Sequence, residues 1–151
     1  MTSLFPFFQW ANDTRVAHWI AESAWIFPAL EGVHIVALAM LFGAVIFVDL
    51  QMLGVIRSDT PARRLDESLR PWVFSSLVVI LLTGVLLFSS EATKLYNSGP
   101  FRIKVVALLL ALIFHFTIHR KAGLKWERLT AAVSLLLWIS VGLAGRAIGF
   151  F

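Results

Sequence analysis

Cysteine is absent from this chain of 151 residues. That absence excludes disulfides, thiolate metal sites and cysteine-based redox chemistry. Charge is also scarce, since charged residues make up 15% of the sequence and hydrophobic residues 59%. A soluble domain of average composition has roughly 25% charged and 45–50% apolar residues. The composition therefore excludes an ordinary soluble domain and points to long apolar segments.

Four apolar segments are long enough to cross a bilayer, at about residues 24–48, 72–90, 101–118 and 129–150. Such segments form helices because in lipid every backbone polar group must be hydrogen bonded within its own segment. A shorter amphipathic segment at about 13–23, capped by Asp13 or Thr14, is typical of a helix at the membrane interface. The short connections favour an up-down bundle. We predict a single all-α membrane domain over residues 1–151, with four transmembrane helices and a short N-terminal interfacial helix.

Two proline-containing sequences divide the predicted helices. Pro71-Trp72 is expected to begin the second transmembrane helix, with residues 61–70 as a separate amphipathic helix. Asn97-Ser98-Gly99-Pro100 is expected to form the turn before the third.

Basic residues are concentrated in the two loops at 50–71 and 119–128. Short loops rich in lysine and arginine remain on the cytoplasmic side of a membrane, so both termini are predicted to lie outside. Because these residues flank transmembrane segments, membrane topology accounts for the net charge of +4. The expected partner is the lipid bilayer, and no nucleic acid is expected.

Ionisable residues inside the apolar segments follow helical stripes at about 100° per residue. The stripe on the first segment contains Glu31, His34, Leu38, Leu41, Val45 and Asp49, and that on the third contains Lys104, Leu108, Ala111, His115 and His119. The second segment has Ser76, Thr83 and Ser90 at seven-residue spacing. Polar residues in transmembrane helices face the interior of a bundle, so these stripes are predicted to be buried.

Imidazoles on facing transmembrane helices are typical of haem b, whose iron takes two axial ligands. His34 and His115 are the first candidates for this pair. Helix counting separates them in depth by roughly 10 Å, so His18, Lys104 and His119 are retained as alternative ligands. One haem b is expected, and two haems are the alternative.

Other polar residues have expected roles around this cofactor. Glu31 lies one turn before His34 and is a candidate to orient its imidazole. Arg102 and Arg146 are candidates to bind the haem propionates. Asp49 and His119 are interpreted as residues at the cytoplasmic interface. Gly145 and Gly149 have the spacing of closely packed transmembrane helices, either within one chain or in a homodimer.

Two sequence blocks, HIVALAMLFGAVIFVDLQML at 34–53 and SGPFRIKVVALLLALIFHF at 98–116, carry a family resemblance. They resemble the HemJ-type protoporphyrinogen oxidases and, more loosely, the membrane domains of CopD-like copper-resistance proteins. The spacing of Lys104 and His115 is similar to that of the lysine and histidine in the third HemJ helix. The resemblance implies a small protein of the bacterial inner membrane that binds haem b through His34.

These observations predict a transmembrane cytochrome that transfers electrons between a quinone or redox partner protein and an acceptor. Two alternatives remain open. One is a haem-dependent oxidase of tetrapyrrole metabolism. The other is a non-redox transporter or assembly subunit, in which Glu31, His34, Lys104 and His115 form a path for protons or ions.

Overall fold

The computed structural model describes residues 4–121, 123 and 125–148. Over these residues the chain is entirely helical, with six α-helices and a 3₁₀ turn at His119–Lys121. The helices are α1 Phe5–Asn12, α2 Arg15–Glu22, α3 Ile26–Met52, α4 Ala62–Tyr96, α5 Gly99–Thr117 and α6 Glu127–Ala147. Helices α3 to α6 are long and apolar enough to cross a membrane. The prediction of an all-helical chain with four helices long and apolar enough to cross a membrane is confirmed over the described residues.

Helix α2 corresponds to the predicted interfacial helix and begins at a threonine cap. The backbone N–H of Ala17 donates to Thr14 Oγ1 at 3.2 Å. The Thr14 hydroxyl in turn donates to the carbonyl oxygen of Ala11 at 3.1 Å. This bond satisfies one of the N–H groups left unpaired at a helix start, so Thr14, of the two predicted candidates, is the cap.

Helix α1 was not predicted, and its tertiary contacts explain why it forms. The ring of Phe5 lies edge-on to Tyr96, with centroids 5.2 Å apart. Phe8 makes edge-on contacts at 5.2 Å with both Phe88 and Tyr96. A helix of eight residues is marginal by itself, so packing against the last part of α4 supplies the stability that local sequence does not.

Helix α3 ends later than predicted, at a glycine with a left-handed backbone. Gly54 has φ +77°, a conformation that other residues rarely adopt. The N–H of Gly54 donates to the carbonyl oxygen of Gln51 at 3.0 Å, and that of Val55 to Leu50 at 3.0 Å. These two bonds form a Schellman motif, which satisfies the last carbonyl groups of the helix.

Helix α4 differs from the prediction because it continues through Pro71. Residues 62–70 form the first turns of α4 instead of a separate helix. Proline removes one backbone donor but does not by itself end a helix when its neighbours keep their bonds. The backbone leaves helical geometry instead at Glu91, with φ −129° and ψ 21°. The predicted end of the fourth segment at 150, and with it Gly149, lies outside the described residues.

The described residues divide into two compact units. Unit 1 comprises those within 1–41 and 72–98, and unit 2 those within 42–71 and 99–151. The apolar core of unit 1 contains Ala11, Ala17, Ile20, Ala37, Leu41, Val73, Leu77, Ile80, Ala92 and Leu95. That of unit 2 contains Val45, Val48, Ala107, Ala111, Ala131, Trp138, Val141 and Ala144. The many alanines allow helix backbones to approach closely, as transmembrane helices commonly do.

Candidate functional site

The first candidate site lies in unit 1 and is centred on His34 of α3. Its side chain is buried, and Nδ1 lies 2.7 Å from Thr83 Oγ1 on α4. The Thr83 hydroxyl donates its single proton to the carbonyl oxygen of Val79 at 2.6 Å. Thr83 Oγ1 must therefore accept the bond from His34 Nδ1–H. In the neutral imidazole this places the basic lone pair on Nε2.

Gly84 brings the His34 ring close to the backbone of α4. A Cβ atom at this glycine would lie 3.4 Å from His34 Cε1. The predicted polar stripe of α4 is buried, since Ser76, Thr83 and Ser90 are each less than 9% exposed. The seven-residue spacing in the sequence predicted that Thr83 is buried. The contact of Gly84 with His34 could not be predicted in this way, because it depends on where His34 packs.

The second candidate site lies in unit 2 and contains a buried acid–imidazole pair. His119 Nε2 lies 2.7 Å from Asp49 Oδ1. Asp49 is 0% exposed and His119 is 5% exposed. Because a carboxylate oxygen accepts, the bond is donated by His119 Nε2–H. The second oxygen, Asp49 Oδ2, has no hydrogen-bond partner among the described residues, although Ser134 lies beside the carboxyl group.

Aromatic rings extend this pair into a larger cluster. The rings of His115 and His119 are stacked, with centroids 5.1 Å apart and planes 25° apart. Trp138 lies edge-on to His115 at 6.4 Å, and both are buried. We refer to Asp49, His115, His119, Ser134 and Trp138 as the histidine cluster. Ser134 and Trp138, one turn apart on α6, were missed, although the same stripe counting could have identified them.

The interfacial interpretation of Asp49 and His119 is corrected by this geometry. Both side chains are buried and bonded to each other, although they are 70 residues apart in sequence. Helix counting locates a residue along its own helix and cannot reveal which turn of another segment packs against it. The physical reason for the pairing is that each group supplies the partner that the other needs away from water.

The remaining predicted residues have varied environments. The aliphatic part of Lys104 packs against α6, because a Cβ atom at Gly145 would lie 3.5 Å from Lys104 Cε. Thr83 holds His34 Nδ1, the role that was expected of Glu31. Four of the residues predicted to bind or surround the haem have exposed side chains: His18, Glu31, Arg102 and Arg146. Groups of three or more histidine and acidic side chains arranged to hold a metal ion are absent from the described part of the chain.

Glycines of α6 make close contacts within the chain. A Cβ atom at Gly142 would lie 2.7 Å from Phe42 Cε2. The Phe42 ring in turn lies edge-on to Trp138 at 5.7 Å. These contacts support the interpretation that the small residues of this helix serve packing within one chain. A homodimer through them stays a prediction.

Comparison with known proteins assigns the chain to a family. The model of DUF6644, a family of unknown function, matches residues 7–151, and the chain belongs to this family. No curated protein matches the sequence. No solved structure matches it. The family match does not connect the chain with the HemJ type or with CopD-like domains, so that resemblance stays a prediction.

Proposed function

We propose that this protein is a membrane cytochrome that binds haem b through His34 Nε2. The observation that carries the proposal is the bond from His34 Nδ1–H to Thr83, which leaves the basic lone pair on Nε2. Metal-binding imidazoles almost always donate their other N–H to a fixed acceptor, which sets both tautomer and ring orientation. When bound, haem b supplies a one-electron redox couple.

The residues around His34 suit an axial ligand. Thr83 holds the ring in one orientation through a hydroxyl that is itself anchored on the carbonyl oxygen of Val79. Gly84 lets the ring pack directly against α4. The hydroxyl acceptor carries no charge, and the neutral imidazole is the form that binds a metal.

His34 is the one ligand that we assign to the haem, and His115 is not assigned to it. The ring of His115 contacts the rings of both His119 and Trp138, in a cluster with an acid–imidazole pair of its own. We propose a lipid-soluble quinol or a redox protein as the electron partner of His34-bound haem. Either could reach a site on a helix that crosses a bilayer. The distribution of basic loops supports an orientation with both termini outside.

The test is the reduced-minus-oxidised absorption spectrum of the full chain, purified after expression with ample haem. Wild-type protein should show a Soret band and resolved α and β bands on reduction. His34→Ala should lose them, and Thr83→Val should weaken haem binding by about 10–100-fold. Ser76→Ala, a matched loss of a hydroxyl on the same face of α4, should bind haem as the wild type does.

Other histidine variants separate the proposal from its alternatives. The same spectra of His18→Ala, His115→Ala and His119→Ala would identify a second ligand by its altered band shape. A colourless wild-type protein, or an unchanged spectrum in His34→Ala, would overturn the proposal. Growth of a strain lacking protoporphyrinogen oxidase, when it carries this gene, would favour the tetrapyrrole oxidase over simple electron transfer.

A further inference from the structure

A cleft in unit 2 shares no residue with either candidate site and is lined almost entirely by charged side chains. Its volume is about 500 Å³. The charged residues come from the first turns of α4 and from the 3₁₀ turn, and they are Arg63, Asp66, Glu67, Arg70 and Lys121. Phe116, in the last turn of α5, completes the lining. The cleft is therefore a separate place where a charged molecule can bind.

The basic side chains of the cleft are available to a ligand. Arg63, Arg70 and Lys121 are exposed, and among the described residues none of the three forms an ion pair. Three basic side chains against two acidic ones leave the cleft with a surplus of one basic group. Arginine presents a planar fork of donors that suits the oxygens of a phosphate, and lysine adds a point charge. The charges therefore favour a ligand that carries a phosphate group and a net negative charge.

The position of the cleft along the helices is that of lipid headgroups. Helix α4 has 35 residues, whereas about 20 residues of helix cross the hydrocarbon core of a bilayer. The charged first turns of α4 precede its apolar segment, which begins at about residue 72. On the other wall, Phe116 lies in the last turn of α5 and Lys121 lies beyond it. The cleft therefore lies where two membrane-crossing segments meet the polar region of the bilayer.

An apolar stripe continues from the cleft along α5. Val106, Leu109, Ile113 and Phe116 recur at intervals of three and four residues, so they share one face of the helix. All four side chains are exposed. Such a face is ordinary on a helix in lipid, but this one ends at a residue that also lines a charged cleft. Together the two features match a phospholipid, which has a charged headgroup joined to apolar chains.

We propose that the cleft binds the headgroup of an anionic phospholipid, whose acyl chain lies along the apolar stripe of α5. Basic pockets between transmembrane helices recognise phospholipid headgroups in this way. The basic side chains bind the phosphate, and Asp66 and Glu67 accept hydrogen bonds from the hydroxyl groups that a glycerol headgroup carries. A zwitterionic lipid fits less well, because its own ammonium group already neutralises the phosphate. This binding does not depend on haem at His34.

The test is native mass spectrometry of the full chain in detergent, titrated with phosphatidylglycerol, phosphatidylcholine or phosphatidylethanolamine. The wild type should bind phosphatidylglycerol more tightly than either zwitterionic lipid. Arg70→Gln should weaken that binding about fivefold, and Arg63→Gln combined with Arg70→Gln roughly 25-fold. Arg70→Lys keeps the charge and should lose less than Arg70→Gln. The control is Arg64→Gln, at an exposed arginine next to Arg63 that does not line the cleft, and it should bind as the wild type does.

Two further comparisons distinguish a lipid site from a site for small anions. Free glycerol phosphate lacks acyl chains, so it should displace phosphatidylglycerol only at a much higher concentration. Ile113→Ser, on the apolar stripe, should weaken lipid binding, whereas Leu136→Ser, at a similarly exposed position on α6, should not. Circular dichroism in the same detergent shows that each variant is folded.

Four results would overturn the proposal. The first is equal affinity for the three lipids, and the second is an equal loss in Arg64→Gln and Arg70→Gln. The third is displacement by glycerol phosphate at the concentrations at which the lipid itself binds, which would indicate a small-anion site. The fourth is a dimer of the chain that forms in place of the lipid complex.

Discussion

His34 in unit 1 and His119 in unit 2 are both buried imidazoles with a hydrogen bond of 2.7 Å to one side chain. Their partners differ in charge. Thr83 offers a neutral hydroxyl, which accepts the hydrogen bond from His34 Nδ1–H. Asp49 offers an ionisable carboxyl group, which accepts a hydrogen bond from His119 Nε2–H. The comparison shows that two imidazoles of similar burial differ in the charge of the group that packing brings to them.

The largest loss of stability is expected when the Asp49–His119 pair is disrupted. Asp49→Ala removes one partner of a buried pair and should lower the free energy of unfolding by about 3–5 kcal/mol. Reversible unfolding in detergent micelles measures this free energy, and Asp59→Ala, at an exposed position, is the control. Replacing both partners, as in Asp49→Leu with His119→Leu, should restore much of the loss. Equal stability of the two alanine variants would show that the pair contributes little.

A smaller effect is expected at the neutral pair. Thr83→Val keeps the shape of the side chain but leaves His34 Nδ1–H without this acceptor, which should cost about 1–2 kcal/mol. The same unfolding measurement applies. Ser76→Ala is the control, because the Ser76 hydroxyl has no hydrogen-bond partner among the described residues. A cost at Thr83 as large as that at Asp49 would contradict the distinction between the two sites.

The smallest effects are expected at the glycines of the two units. Gly142→Ala places Cβ 2.7 Å from Phe42. The overpacking cost of about 1–3 kcal/mol is partly offset by a gain in helix propensity of about 1 kcal/mol, so the net loss should be about 1 kcal/mol. Gly84→Ala meets His34 at 3.4 Å and should be nearly neutral.

The control for both glycine variants is Gly43→Ala, where a Cβ atom has no neighbour within 4 Å. It should stabilise the protein slightly, and thermal unfolding would rank the three variants. A clear loss at Gly84 without one at Gly142 would reverse the expected order and indicate that unit 1 is the more tightly packed.

Helical periodicity predicted the buried faces well because it depends only on the geometry of one helix. His34, Leu41, Val45 and Asp49 are all buried, as the stripe on α3 required. On the other hand, Glu31 belongs to the same stripe and is exposed, since it lies near the start of the helix. Periodicity identifies a direction around the helix axis, but not how far along the helix a neighbour extends.

Partners could not be predicted in the same way. Thr83 and Glu31 were both plausible companions of His34, and only the packing of α4 against α3 selects Thr83. The prediction for Pro71 was wrong because it used local propensity alone, and α4 continues through that residue. Helix α1 depends on aromatic contacts with Phe88 and Tyr96, which lie far from it in sequence.

The sequence by itself determined the helical class, the four segments apolar enough to cross a membrane and the stripes on which ionisable residues lie. Those features follow from hydrophobicity and helix periodicity, which are local. The tertiary structure alone decided that His34 is bonded to a hydroxyl and His119 to a carboxylate. Each bond joins residues far apart in the chain, and the chemistry of a buried imidazole depends on the group that packing brings to it.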